Sequence, residues 1–355
     1  MARKTKVALL FGGRSAQHEI SLISASSIYK NLDEQKYDSS CIYINKQGFW
    51  RTVESPSLLR PELDKGPFSS FLPWGNESSL SPVEADIYFP VLHGPYGEDG
   101  TIQGLFEMAD VPYVGASVLA SAAGMDKAIS KSLFQDKKLP VVKHLAISEL
   151  FWNERPSEIL NQVQEEFSLP FFVKPANMGS SVGITKITNL DQVASAFLTA
   201  FRYDAKILIE QGITGREIEC SVLGDAHPEA SLPGEIIPHR DFYDYKDKYI
   251  DGKTTFKIPV ELSSSITERI RQIAIEAFRA IDCTGMARVD FFLQKGTEKI
   301  FLNEINTIPG FTEISMYPKL WEVSGLSFSE LLDRLITLGL ERHKHKKRTG
   351  VLFKS

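Results

Sequence analysis

The sequence predicts two architectures in succession: an N-terminal α/β unit with a parallel sheet, then an α+β region in two parts. Three observations carry this. Val7–Phe11 is an unbroken apolar run closed by Gly12-Gly13 and followed by a helical stretch from about Gln17 to Asn31. That is the pattern of a strand buried on both faces, a glycine turn and a helix. Asp86–Leu92 (DIYFPVL) repeats it, running into the glycine-rich HGPYGEDGTIQGLFE. Near Gly124 the texture changes to a charged helix ending before Pro140, then strand, glycine loop, strand, helix and strand through FFVKPA, VGITKI and AKILIEQGI. The expected parts are residues 1–125, 126–217 and 218–355.

The remaining elements follow in chain order. Val111–Val114 is expected as a third short strand of the first sheet, and residues 51–82, rich in Ser, Pro and Gly, as irregular connections. Past Glu217 the pattern predicts a strand (EIECSVLG), a polar aromatic loop at residues 241–255, a helix near Ser265–Ile281 and two alternating strands. An amphipathic helix at Phe328–Glu341 closes the pattern. The loop DFYDYKDKYIDGKTTF has little periodicity, and its aromatic content favours a lid that orders over something. RHKHKKR (residues 342–348) is expected to be a solvated, frayed end.

Composition narrows the function classes. The chain has 355 residues, 43% hydrophobic and 24% charged, with a net charge of -5. The mild acidity argues against non-specific nucleic-acid binding, which needs a basic face. Cys41, Cys220 and Cys283 are far apart and lack CxxC spacing, as expected of buried thiols in a reducing compartment. MARKTKVALLFGG has too short an apolar run for a secretory signal, and nothing approaches the ~20 apolar residues of a membrane span. The expectation is a soluble, cytoplasmic protein with no membrane or nucleic-acid partner.

The chemistry concentrates in five stretches. Period-two alternation puts Arg288 and Asp290 on one face of MARVDFFL, and Glu304 and Asn306 on one face of FLNEIN. QKGTEK between them makes an antiparallel hairpin. If the polar faces coincide, two carboxylates and an amide offer hard oxygen donors for Mg²⁺ held jointly with substrate phosphates. A solvent-facing hairpin with an Arg–carboxylate pair satisfies the alternation equally well. Lys174 ends the apolar strand PFFVKPA, where an ammonium needs an anion, and Gly179-Ser180-Ser181-Val182-Gly183 could wrap phosphate oxygens. It lacks the spacing of a Walker P-loop. Glu210 ends another apolar strand and Glu217 follows a glycine turn, a setting for adenine and ribose or for an ordinary linker. HGPYGEDG holds His93, Glu98 and Asp99 beyond a strand's C-terminal end, and SAQHEIS holds Glu19 in a similar place. Acids on that edge suit an ammonium group. The fifth stretch is the aromatic loop already described.

Taken together, Lys174, the serine–glycine loop, the hinge acids and the Asp290, Glu304, Asn306 set resemble the ATP-grasp superfamily in their order. With GGRSAQHEIS, HGPYGEDG, FYDYKDKY and NTIPGFTEISMYPKLW added, the whole chain resembles the D-alanine–D-alanine ligases. The resemblance implies a two-part ATP-grasp fold after the first domain. It implies ATP-dependent joining of two D-alanines through a D-alanyl phosphate, for peptidoglycan precursors and hence cell wall and cell shape. ATP and two Mg²⁺ ions (Mn²⁺ as substitute) are the implied cofactors, and a homodimer the implied assembly.

Carried over by position, the resemblance implies that Lys127 and Lys174 contact ATP phosphates, and that Glu210 and Glu217 hold adenine and ribose. The Ser180–Ser181 loop would close over the γ-phosphate, with metal ions on Asp290, Glu304 and Asn306. Glu19 would take the first ammonium, and His93 would line the substrate site. Ser315, Met316 and Lys248 would receive the second carboxylate. Arg288 and the Gly310 amide would hold the oxyanion, and Tyr249 would link to Glu19 and Ser180 in the closed lid. A histidine replaces Tyr249 in relatives that make D-alanine–D-lactate, so Tyr249 favours the dipeptide. A D-alanine–D-lactate ligase and a non-catalytic nucleotide-binding protein of the same fold are the alternative expectations.

Overall fold

The computed structural model describes residues 3–56, 84–238 and 254–349, and these form three sheets. The first has the order β3-β2-β1-β4, with β1 at Thr5–Gly12, β2 at Tyr37–Ile44, β3 at Trp50–Val53 and β4 at Ile87–Val91. Strand β1 runs parallel to both β2 and β4, while β3 is antiparallel to β2. The expected parallel sheet is present. Its β2 and β3 carry no clean alternation and were not anticipated, and the expected strand at residues 111–114 reduces to one bridge, Tyr113 with Tyr88.

The apolar residues of β1 face two ways, and each face has its own cover. Val7, Leu9 and Phe11 pack with Ala25 and Ile28 of the helix His18–Asn31 and with Leu331, Leu332, Leu335 and Ile336. Ala8 and Leu10 pack with Ile102 and Phe106 on the other side. The helix that contributes Leu331–Ile336 is the last in the chain, Phe328–Thr349, so the C-terminal segment returns to cover the first sheet.

That helix does not stop at Glu341, and the basic stretch is not a frayed end. Arg342, half-buried on its inner side, stacks over the Tyr113 ring at 4.2 Å and donates to Tyr113 O at 2.9 Å, Thr284 Oγ1 at 3.0 Å and Gly115 O. The backbone of Gly285 approaches Gly115 so closely that a Cβ there would sit 3.0 Å from it, at φ +76°. Lys347 pairs with Asp110 at 3.3 Å, and Lys346 pairs with Glu107. We expect Arg342→Met to cost about 2–4 kcal/mol in urea unfolding, because two buried carbonyls lose their donor. An unchanged unfolding midpoint would refute this tie.

The second sheet has the order β5-β8-β6-β7 and is antiparallel throughout: β5 His144–Ser148, β6 Phe171–Pro175, β7 Thr185–Ile187, β8 Lys206–Gln211. Three helices, Glu149–Glu154, Pro156–Glu166 and Val193–Phe201, bury Trp152, Ile159, Val163 and Phe197 against it. The third sheet runs β12-β11-β9-β13-β14, with the short β10 (Glu229–Ala230) on β9. Here β9 is Gly215–Gly224, β11 Gly234–Ile237, β12 Thr255–Lys257, β13 Gly285–Gln294 and β14 Ile300–Asn306. The helix Ser264–Ala280 covers one face with Ile270, Ile273, Ala277 and Phe278. The other face carries Glu217, Glu219, Arg288 and Asp290 beside Leu223, Met286 and Ile236, which pack with the helix Met316–Val323, and the site lies on its polar part.

Candidate active site

Strands β13 and β14 pair antiparallel, with Asp290 opposite Glu304 and Arg288 opposite Asn306. Burial along β13 alternates, so Ala287, Val289 and Phe291 enter the core while Arg288 and Asp290 stand on the open face. The polar faces therefore coincide, and a bulge after Asp290 ends the regular register there. Arg288 donates Nε to Asp290 Oδ1 and an Nη to Asp290 Oδ2, both at 2.7 Å, and its Nε lies 3.0 Å from Glu219 Oε2 on β9. Burial pulls the guanidinium's pKa down, but these carboxylates more than offset it and hold the charge firmly in place. Asn306 Nδ2 donates to Asp290 Oδ2 at 3.1 Å, and Glu304 lies 3.4 Å from Lys127 Nζ.

Asp290, Glu304 and the amide oxygen of Asn306 are hard donors on one face of one hairpin, which fits a divalent ion shared with phosphate. Among the described residues no group of three His, Cys, Asp or Glu is gathered as a complete cage. Arg288 and Lys127 balance the two carboxylates in this state.

Two cavities flank this face. One, of about 390 Å³, is lined by Lys127, Lys174, Ser180, Ser181, Glu210, Glu217, Asp290 and Glu304 among others. The other, of about 570 Å³, is lined by His93, Glu98, Arg288, Asn306, Gly310, Ser315 and Met316 among others. Gly179, Ser180, Glu219 and Glu304 line both. The chambers thus meet at the serine loop and the metal-type carboxylate.

Lys127 lines the smaller chamber and Lys131 lies behind it, one turn on along the helix Lys127–Asp136, whose Asp126 cap accepts from Ala128 N and Ile129 N. Lys127 Nζ donates to Met178 O at 2.8 Å, tying the helix to the serine loop. Lys174 pairs with Glu210 across β6 and β8. Burial alone would raise the Glu210 carboxyl, but Lys131 and Lys174 override it and bring it down to about 2. Ser180 and Ser181 hold φ of 53° and 59°, a left-handed backbone that non-glycine residues seldom adopt.

In the larger chamber, His93 is neutral and structural as well as lining. Burial lowers its pKa to about 4, helped by Arg288 and opposed by its bond to Ile308 O. Its Nδ1 lies 3.0 Å from that carbonyl, so the proton belongs there, and Nε2 accepts from Ser24 Oγ at 3.0 Å. Ser24 Oγ accepts Phe311 N–H at 3.2 Å, so the helix His18–Asn31 braces the turn carrying Gly310. A Cβ on Gly310 would fall 2.7 Å from Ser315 Oγ, which itself accepts from Thr312 N at 2.9 Å. Glycine is what keeps the 310 amide clear beside Ser315.

Glu98 is buried beside these groups and accepts Gly94 N–H at 2.5 Å. Burial pushes it up to about 7, while that bond, Arg288 and Lys127 pull the other way. A raised carboxyl favours the folded state below its unfolded value of 4.5, and that advantage is lost as pH rises through about 7. Relative to Glu98→Gln, the parent should lose roughly 3 kcal/mol between pH 4.5 and about pH 8. Urea unfolding across that range checks it, and parallel curves for the two proteins would contradict it.

One expected residue is misplaced. Glu19 pairs with Lys46 at 3.1 Å and is absent from the cavity lining, to which the same segment contributes Gln17 and Ile20. The helix begins at His18, and its geometry sends positions 17 and 20, not 19, toward the chamber. Gln17 Nε2 comes within about 3 Å of where a Cβ on Gly94 or Gly179 would lie. Lys248, Tyr249 and the expected lid through residue 253 lie outside the described residues. Glu219 and Lys131, neither of them anticipated, are part of the site. Glu219 shares its face of β9 with Glu217, a period-two signal that was there to use.

Comparison with known proteins agrees with this geometry. Residues 6–116 match the family model described as D-ala D-ala ligase N-terminus, and residues 133–337 match D-ala D-ala ligase C-terminus. The chain is 47% identical over 357 residues to a D-alanine–D-alanine ligase of Heliobacterium modesticaldum, covering 98% of each chain. The corresponding protein of Solibacter usitatus is 47% identical, again with 98% of each covered. Among solved structures, the D-alanine-D-alanine ligase of Coxiella burnetii superposes with a TM-score of 0.87 at 40% identity, covering 98% of this chain and 97% of that one. The VanG D-Ala:D-Ser ligase of Enterococcus faecalis superposes with a TM-score of 0.83 at 33% identity, covering 95% and 99%.

Proposed function

The chain belongs to the D-alanine–D-alanine ligase family, and from that premise we propose how its two joined chambers carry out the reaction. The protein is an ATP-dependent, ADP-forming ligase that joins two D-alanines for cell-wall synthesis. The observation that carries our reading of the site is the sharing of Ser180, Glu219 and Glu304 by both cavities. A phosphoryl group reaching from one chamber would meet a carboxylate in the other at that point.

Lys127, Lys174 and the Ser180–Ser181 loop would hold the ATP phosphates, with Glu210 and Glu217 at adenine and ribose. A divalent metal on Asp290, Glu304 and Asn306, two Mg²⁺ in our reading with Mn²⁺ able to substitute, supplies charge neutralisation when bound. The first D-alanine's carboxylate oxygen attacks the γ-phosphorus, ADP leaves, and an acyl phosphate results. The lysines and loop amides align that transfer. The neutral amine of the second D-alanine then attacks the carbonyl carbon. Arg288 and the Gly310 N–H would stabilise the oxyanion, and phosphate departs with the oxygen it acquired and takes up the proton that the amine loses. Ser315 and Met316, with Lys248, would orient the second carboxylate. Gln17 takes over from Glu19 as the proposed partner at the first amino group, because it lines the chamber. Tyr249, expected by resemblance to link to Glu19 and Ser180, lies outside the described residues.

We also propose division at residues 125/126 and 217/218, supported by the three separate sheets, although the last helix packs on the first. A homodimer and a cytoplasmic location complete the reading. The buried free thiols Cys41, Cys220 and Cys283 support a reducing compartment. Among the described residues no helix is long and apolar enough to cross a membrane.

Phosphate release from ATP with D-alanine, L-alanine, D-serine and D-lactate tests the specificity. Strong preference for D-alanine in both subsites is expected. Turnover only when D-lactate or D-serine fills the second subsite would overturn the dipeptide assignment.

A further inference from the structure

Lys131 is a fully buried lysine to which the mechanism above gives no task. Its side chain is 0% exposed, yet it is not on the cavity lining, whereas Glu210 and Lys174 are. Its Nζ lies 2.5 Å from Glu210 Oε1 and donates to Asn303 O at 2.7 Å. Lys174 holds the other oxygen, Glu210 Oε2. Oε1 has no other hydrogen-bond partner among the described residues. One carboxylate is therefore shared by two buried ammonium groups, one behind it and one facing the cavity.

The charge count explains why two are needed. A single lysine on Glu210 would form a closed pair, and moving it to a phosphate would strand a buried anion. With Lys131 fixed behind, Glu210 keeps a counter-ion when the front lysine leaves. The lysines and the carboxylate sum to one positive charge, which is what the cavity needs to present to a nucleotide phosphate. Lys131 also grips the carbonyl beside Glu304, so the carboxylate of the second sheet is held at a set distance from the metal-type strand of the third.

We propose that Lys131 is a positioning residue: the permanent counter-ion of Glu210, which frees Lys174 to exchange from Glu210 onto the nucleotide phosphates. The inference rests on the nucleotide reading of that cavity.

The test is a double-variant cycle read by ADP affinity in calorimetry and by the KM for ATP. Lys131→Met should weaken ADP and raise that KM on the order of 10- to 100-fold. In the Glu210→Gln background the same substitution should cost less than about threefold, because no buried anion then competes for Lys174. A role confined to filling space or bonding Asn303 would cost the same in both backgrounds. That equality, or an unaffected Lys131→Met, would overturn the proposal. Where Lys131→Met does not fold, recovery of folding and ADP affinity in the double variant supports the proposal, and failure to recover overturns it. A parent protein that does not bind ADP at all would instead overturn the nucleotide reading beneath it.

Discussion

Glu304→Ala and Asp290→Ala should each abolish D-alanine-dependent phosphate release, a loss of about 10³-fold or more in kcat/KM. Glu304 lines both chambers and lies opposite Asp290 in the hairpin register, so either change removes one of the two carboxylates of the hard donor set. The effect should be on chemistry more than on folding. Without Glu304, Lys127 keeps Met178 O, and without Asp290, Arg288 keeps Glu219. Phosphate release at rising Mg²⁺ separates weakened metal binding, which excess metal restores, from loss of alignment, which it does not. Near-normal turnover in both variants would refute the assignment.

Arg288→Met is expected to lose about 10²–10³-fold in kcat beyond any effect on substrate KM, the usual scale for one oxyanion donor. It should also destabilise, by about 3–5 kcal/mol, because Asp290 and Glu219 would be left buried without their shared cation. The two effects separate through Arg288→Lys. A lysine restores much of the charge balance and so the stability, but cannot reproduce the two-pronged hold on Asp290, and kcat should stay low. Recovery of kcat in the lysine variant would mean that charge alone, rather than guanidinium geometry, is what the site requires.

The hairpin shows how far a pattern can be followed. Alternation placed Arg288, Asp290, Glu304 and Asn306 on faces, and a glycine turn implied antiparallel pairing. Whether the faces coincide depends on register, which a single sequence does not specify. The structure gives Asp290 opposite Glu304. Glu219 and Lys131 were legible by the same periodicities, two residues from Glu217 on a strand and four from Lys127 on a helix. Neither stood in a motif to draw notice: Glu219 lies between apolar strand residues and Lys131 among the other charges of its helix. Glu19 was carried over by resemblance, and because successive helical positions differ by about 100°, Gln17 and Ile20 line the chamber while Glu19 turns toward Lys46. Strands β2 and β3 were invisible for another reason. YDSSCIYI mixes polar and apolar residues because only its C-terminal half is buried. The basic end was misjudged because its charges looked solvated, while Arg342 finds carbonyl partners more than two hundred residues away in sequence, which no local pattern reports.

Fate of oxygen is the most direct test of the central claim that a carboxylate in one chamber is phosphorylated by a nucleotide in the other. D-alanine labelled with ¹⁸O in both carboxylate positions is incubated with ATP and Mg²⁺, and the phosphate and dipeptide are weighed by mass spectrometry. If the carboxylate oxygen attacks the γ-phosphorus and the amine later displaces phosphate, each phosphate released carries one ¹⁸O and the new amide carbonyl keeps the other. Unlabelled phosphate accompanying dipeptide would contradict the account.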